Sequence, residues 1–252
     1  MTVYAKHNGS WKQAQPHARH GGSWKPVVVG YVKRNGSWVQ FFNLSGSQTF
    51  NSSGTFVAPY TGTYTVRLIG GGGKGGNGGA GGTGGGVQTG RACGGGGGGG
   101  GGSSGVKKTI SMTLIGGQSY SVTVGGPGSA SSFNGQSAAG GANGSNGSQG
   151  KDRNNYGEGG NGGSGGSKSG ATSGSVGSKG QQGPKPNYDR GGLGGNGGSG
   201  GSGYDGRGSG GAGGKGGTGG SSITYVDTTE RGRTMGEAGA NGTAGQVVIS
   251  WG

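Results

Sequence analysis

The chain is poor in nearly everything a conventional globular core is made from. Only 25% of its 252 residues are hydrophobic. No apolar run approaches the ~18 residues of a membrane-spanning helix. A single cysteine, Cys93, rules out an intrachain disulfide framework, and a lone thiol of this kind reads as a buried bystander rather than a nucleophile. With 6 prolines against 80 glycines, collagen is excluded, because collagen needs Gly at every third position and abundant Pro. The three histidines, His7, His17 and His20, all fall in the N-terminal repeats, and the 7 acidic residues are scattered. No metal-ligand spacing or acid–base pair emerges from them, so the expectation is a protein without catalysis, cofactor or metal.

Acid is scarce relative to base as well. Lys and Arg number 21, giving a formal charge of +14, yet basic residues adjoin only in pairs such as Lys33-Arg34 and Lys107-Lys108. Such a field steers a protein toward polyanions in general and selects none of them. Nucleic-acid binding through Arg-Gly-Gly repeats needs many copies, and only Arg190-Gly191-Gly192 qualifies, so no nucleic-acid partner is expected. Phosphate-loop patterns match trivially in a sequence this rich in glycine and lack a strand-to-helix context. The start, Met1-Thr2-Val3-Tyr4-Ala5-Lys6, has no apolar h-region, and the reading is of a soluble protein without membrane insertion.

What the chain does have is glycine in a period of three. The triplets run Gly75-Gly76-Asn77, Gly78-Gly79-Ala80, Gly81-Gly82-Thr83 and return from Gly159, Gly194 and Gly210, with an unbroken block from Gly94 to Gly102. Three residues per turn is the polyproline II period, so in a GGX run two edges of the helix are bare. Bare edges let neighbouring helices approach until N–H meets C=O. A flexible Gly/Ser linker is the competing reading, since ordering Gly costs more backbone entropy than ordering any other residue. Against it, the triplet phase persists over several turns, and Gly-Gly-Asn-Gly-Gly-Ser-Gly-Gly-Ser occurs twice, at 159–167 and 194–202. The expectation is therefore ordered rods stacked side by side.

Residues 4–42 repeat a short unit: Lys6-His7-Asn8-Gly9-Ser10-Trp11, Arg19-His20-Gly21-Gly22-Ser23-Trp24 and Lys33-Arg34-Asn35-Gly36-Ser37-Trp38. Asn-Gly and Gly-Gly between such flanks predict three tight β-hairpins. Trp11, Trp24 and Trp38 then occupy equivalent places, ready to pack together, to enter a socket on a partner subunit or, less favoured, to stack on sugar. Isolated hairpins are marginal, so this region is expected to attach to a neighbour. Farther on, alternation predicts strands at Gly62–Gly70 and at 106–115 and 119–125, the last two joined as a hairpin by Gly116-Gly117-Gln118, and the closing Gly245–Trp251 adds a further apolar piece.

Ser53–Pro59, Thr63–Gly73, Tyr120–Gly126, Ser131–Phe133, the GGX tracts and the closing Gly-Gln-Val-Val-Ile-Ser-Trp together resemble the glycine-rich domains of bacteriophage tail and fibre proteins. The three Gly-Ser-Trp units are similar to the tryptophan repeats of phage minor tail proteins. The resemblance implies a mainly β protein: hairpin repeats over 1–45, then an antiparallel β-sandwich over 46–252 with an inserted bundle of polyglycine II helices, the rods covering 70–105 and 134–222. It also implies a receptor-binding adhesin in the virion tail, made in the host cytoplasm, a homotrimer with other tail proteins and a host-surface glycan or other polyanion as partners. The N-terminus departs from the long-tail-fibre adhesins, which leaves the mode of attachment open. A purely structural tail component and an ice-binding protein using Thr, Asn and Ser at X positions are the alternatives.

If rods are bundled, the segments between them gather at its two ends. These segments supply the candidate receptor-binding residues Arg153, Tyr156, Tyr188, Asp189, Arg190, Tyr204, Asp205 and Arg207. Aromatic platforms beside fixed guanidinium forks suit sugars and anions. Equally, the tyrosines cap the bundle and the charges are simply solvated.

Overall fold

The computed structural model describes residues 4–13, 16–27, 29–43, 45–82, 93–151, 158–175, 177–178, 180–181, 193–219 and 233–252. Among them the protein is mainly β, has no helix and is built from antiparallel pairs. The N-terminal repeats fold as expected into three two-stranded hairpins: β1 (Tyr4–His7) with β2 (Ser10–Gln13), β3 (His17–His20) with β4 (Ser23–Pro26), and β5 (Val29–Arg34) with β6 (Ser37–Asn43). Each closes through two residues at positive φ, Asn8-Gly9, Gly21-Gly22 and Asn35-Gly36, the backbone that a two-residue loop matched to strand twist requires.

Eight further strands form two four-stranded sheets. They are β7 (Gly46–Phe50), β8 (Gly54–Val57), β9 (Gly62–Ile69), β10 (Lys107–Leu114), β11 (Ser119–Thr123), β12 (Ser131–Phe133), β13 (Gln136–Ala138) and β14 (Gln246–Trp251). One sheet has the order β10-β9-β14-β7, the other β13-β12-β11-β8. Period-two alternation sends Tyr64, Val66 and Leu68 of β9 inward and leaves Thr63 and Thr65 outside. The inward set joins Phe56, Leu114, Val122, Phe133, Val247 and Ile249 from both sheets in one buried cluster. Full burial of each such side chain contributes roughly 1.5–3 kcal/mol. Phe56 meets Tyr64 edge-on, with ring centroids 5.8 Å apart at 76°, a geometry aromatic quadrupoles favour.

One expectation is overturned. Residues 106–115 and 119–125 do not pair as a hairpin: β10 joins β9, while β11 lies between β8 and β12 in the other sheet. The turn carries the chain across the core, where Gly117 and Gln118 exchange backbone hydrogen bonds with Ala58. Crossing lets Leu114 and Val122 bury into one cluster from opposite sides, which a flat hairpin could not do.

Among the described residues the glycine-rich ones form eight segments with no helix or strand of their own: segments 1 (70–82), 2 (93–105), 3 (139–151), 4 (158–167), 5 (171–175, 177–178 and 180–181), 6 (193–203), 7 (208–219) and 8 (233–245). They are joined sideways by backbone hydrogen bonds every third residue. Segment 2 is the hub. Gly94, Gly97, Gly100 and Ser103 donate to segment 3, Gly95, Gly98, Gly101 and Ser104 to segment 5, and Gly96, Gly99, Gly102 and Gly105 to segment 7. The hub carbonyls accept, in the same phases, from segments 1, 4 and 6. Segment 2 therefore touches six neighbours, and those neighbours bond to one another in a closed ring, 1-3-4-5-6-7. Segment 8 lies outside, donating to segment 7 and accepting from segment 1.

Glycine content falls from the hub to the outermost segment, while segments with three neighbours keep two glycines per triplet, as in 4 and 6, or one, as in 3 and 5. The hub, surrounded on all sides, is glycine throughout Gly94–Gly102, and a Cβ on Gly96, Gly97 or Gly98 would collide with the carbonyls of Gly79, Asn161 and Asn196 in three different segments. Segments 1 and 7, with four neighbours, keep two glycines per triplet. Segment 8, with two, keeps one, at Gly236, Gly239 and Gly242. In segments 3 and 5 the one obligatory glycine of a triplet, such as Gly144 or Gly174, faces the hub at Gly100 or Gly101.

Hydroxyls at the remaining positions fasten the segments together. Ser178 donates its N–H to the Asn196 carbonyl and accepts the Asn196 N–H on Oγ, at 2.8 and 2.6 Å. The same clamp recurs for Ser175 on Ser199, Thr234 on Thr218, Thr243 on Ser209, and for the buried Ser103 on Ala142 and Ser104 on Thr172. Each clamp gives a backbone amide of the neighbouring segment a hydroxyl acceptor.

Candidate functional site

Odd-numbered segments run away from the two sheets and even-numbered ones return. Segment 1 continues β9, segment 2 leads into β10, segment 3 continues β13 and segment 8 leads into β14. The far end is therefore where residues 82 and 93, 151 and 158, 181 and 193, and 219 and 233 stand in neighbouring segments. Hydrogen bonds Gly82 to Gly94, Lys151 to Glu158 and Gln181 to Leu193 tie three of these pairs. Lys151 and Glu158 add a 2.6 Å ion pair, half exposed on both sides. Arg153 and Tyr156, and likewise Tyr188, Asp189 and Arg190, lie outside the described residues. The residues that flank them are all at this far end.

Tyr204, Asp205 and Arg207 are elsewhere. They form the link between segments 6 and 7, at the end that adjoins the sheets. Tyr204 and Arg207 exchange both backbone hydrogen bonds, at 2.8 and 2.9 Å, around Asp205 and Gly206 at positive φ. Asp205 Oδ2 accepts from Arg67 Nη1 of β9 at 2.6 Å, and Lys107 Nζ of β10 stands 5.2 Å over the Tyr204 ring. The aspartate side chain is 64% exposed and Arg67 31%, so this latch is a surface contact of modest strength. The structure separates this turn from the flanks of the other candidates by the length of the bundle.

A trough of ≈ 490 Å³ opens between segments 1, 3 and 8, lined by Lys74, Asn143, Asn241 and the turn Pro127–Ser129. Its floor is already engaged: Asn143 Oδ1 accepts the Lys74 N–H at 2.8 Å, and Asn146 does the same for Asn77. Among the described residues no three His, Cys, Asp or Glu gather as a metal site.

The third place is the hairpin set. Trp11, Trp24 and Trp38 are 70%, 69% and 70% exposed, an extreme value for the largest side chain and the same in all three copies. Register places a cation directly opposite each one: Lys6 faces Trp11, Arg19 faces Trp24 and Lys33 faces Trp38. Sequence reasoning found the tryptophans and missed the pairing, although two-residue loops fix it: with a two-residue loop, the second residue before the loop faces the second after it. No family model matches this chain, and no curated protein matches it either.

Proposed function

We propose that the protein is a non-enzymatic component of a phage tail that recognises the host cell surface, a β-sandwich carrying a bundle of polyglycine II helices as the spacer that holds its recognition segments outward. The observation that carries this reading is the hub. Six segments close around a seventh that is glycine throughout Gly94–Gly102, with a hydrogen-bond repeat of three residues, which is the polyglycine II period. At ~3.1 Å per residue, the nine steps from Gly72 to Gly81 measure about 28 Å, enough to stand the far end well clear of the sheets. Four links leave from that end, and two of them contain Arg153, Tyr156, Tyr188, Asp189 and Arg190. Rigid scaffolds that gather variable links at one end are how loops acquire binding roles.

Other tail proteins, a homotrimeric state and a virion location complete the proposal. The ice-binding alternative loses ground, because the hydroxyls of Ser175, Ser178, Thr234 and Thr243 are spent on neighbouring amides. The test is adsorption to host cells by the parent and by a Tyr156→Ala, Tyr188→Ala variant, with far-ultraviolet circular dichroism as the folding control. Loss of adsorption with an unchanged spectrum is expected. Equal adsorption removes the far-end links from the proposal and leaves a purely structural role.

A further inference from the structure

The hairpins carry more chemistry than attachment alone requires. In an antiparallel pair, residues two apart on one strand share a face, and directly opposed side chains lie about 4.5–5.5 Å apart at Cβ. One face of the first hairpin therefore carries Lys6 and Trp11, which the register sets opposite each other. The second carries His17, Arg19 and Trp24, and the third Tyr31, Lys33 and Trp38. Each face thus repeats a cation opposite a tryptophan. Residues 1–45 hold Lys6, Lys12, Arg19, Lys25, Lys33 and Arg34 and no Asp or Glu. Three equivalent cationic faces suit a ligand that is itself repetitive and acidic.

We propose that the three hairpins form a trivalent site for an anionic polysaccharide, each exposed tryptophan carrying the apolar face of one pyranose ring while the cation opposite it pairs with the polymer's acid group. This deepens the adhesive reading by naming a ligand class and a place for it, and rests on that reading only for where the polymer is met. The openness of the faces favours sugar over single-stranded nucleic acid. A base must leave the stack of its neighbours to lie on a lone ring, whereas a pyranose gives up no stacking. Arg and Lys opposite the ring supply the charge complementarity that a neutral glycan would leave unused. Three weak contacts on one chain then add through effective concentration rather than through any single strong one.

The experiment measures binding of the full chain to polygalacturonate, with dextran, poly-L-glutamate and poly(dT) alongside. Polygalacturonate should bind, more weakly as salt rises, and dextran should not. Trp11→Ala, Trp24→Ala and Trp38→Ala combined should lower affinity by about 100-fold or more, as expected when multivalency is lost. Because these side chains lie in solvent, the variant keeps the fold; a second variant, Lys6→Gln, Arg19→Gln, Lys33→Gln, retains the tryptophans and should bind more weakly and with a shallower salt dependence. Absence of polygalacturonate binding by the parent, unchanged binding by the tryptophan variant, equal binding of poly-L-glutamate, or tighter binding of poly(dT) would each overturn the proposal. The Tyr156→Ala, Tyr188→Ala variant should bind polygalacturonate as the parent does, so failure of the far-end reading and failure of this one are read separately.

Discussion

Replacing Gly99 by alanine distinguishes a packed lattice from a flexible linker by the sign of the effect alone. In an unpacked chain, Gly→Ala narrows the unfolded ensemble and is neutral or stabilising by about 0.4–1 kcal/mol. In the hub, the new Cβ would stand 2.5 Å from the carbonyl carbon of Gly76 and collide with its oxygen. That is about 1 Å inside the 3.5 Å of ordinary carbon contact. Segments 1 and 2 must part, and the flanking bonds from Gly76 to Gly100 and from Gly79 to Gly97, both 2.8 Å, lengthen or break. Two weakened bonds at about 0.5–1.5 kcal/mol each, with about 1–3 kcal/mol of overpacking, outweigh the entropy gain and leave roughly 3 kcal/mol of net destabilisation. At about 2–4 °C per kcal/mol for a chain of this size, the melting temperature falls by roughly 6–12 °C. Differential scanning calorimetry reads it. Gly126→Ala is the control, since a Cβ there meets nothing within 4 Å and the backbone is not in the left-handed region. Its melting temperature should stay level or rise. If Gly99→Ala melts with or above the control, the segments are not packed as described.

The clamps give a second measurement: Ser175→Ala with Ser178→Ala should cost about 0.5–1.5 kcal/mol per bond and speed amide exchange at Asn196 and Ser199, while hub amides stay protected. Asp205→Asn should change stability by less than about 1 kcal/mol, because the Arg67 pair is largely in water; a large loss by urea titration would mean that the turn is needed to close the bundle. Tyr64 is pushed up from its ordinary value, first by burial, with the Tyr60 backbone hydrogen bond lowering it and the charges of Tyr60 and Tyr120 raising it. Its contribution to stability is complete below the unfolded value of about 10 and is lost as pH climbs through the higher folded value. Chemical denaturation should therefore show stability falling above pH of about 10, with a shallower fall in Tyr64→Phe.

The hairpins were readable because Asn-Gly and Gly-Gly leave a two-residue loop little freedom, β9 because Tyr64, Val66 and Leu68 alternate with Thr63, Thr65 and Arg67, and β14 because Val247-Val248-Ile249 is a β-branched run. The crossing at Gly116–Gln118 was not readable: Ile110, Met112 and Leu114 followed by Tyr120, Val122 and Val124 make the same pattern whether the strands pair or face each other across a core. Segment 8 escaped because a neighbour on only two sides demands one glycine per triplet, and Thr234-Met235-Gly236-Glu237-Ala238-Gly239 does not stand out as periodic. Tyr204-Asp205 and Tyr188-Asp189 are alike in sequence, yet the first adjoins the sheets and the flanks of the second stand at the far end. Which end a link occupies depends on whether the segment before it is odd or even, a count that local sequence does not contain.

The position of β14 has a consequence for how the molecule comes into being. This strand follows all eight segments in the chain, yet it lies between β9 and β7, and β7 has no other partner in that sheet. A nascent polypeptide can therefore lay down its glycine lattice and still lack the middle of the sheet below it. Completion waits for β14 to emerge, so a product cut off before Gln246 would be left with a split core and open strand edges, visible to proteases.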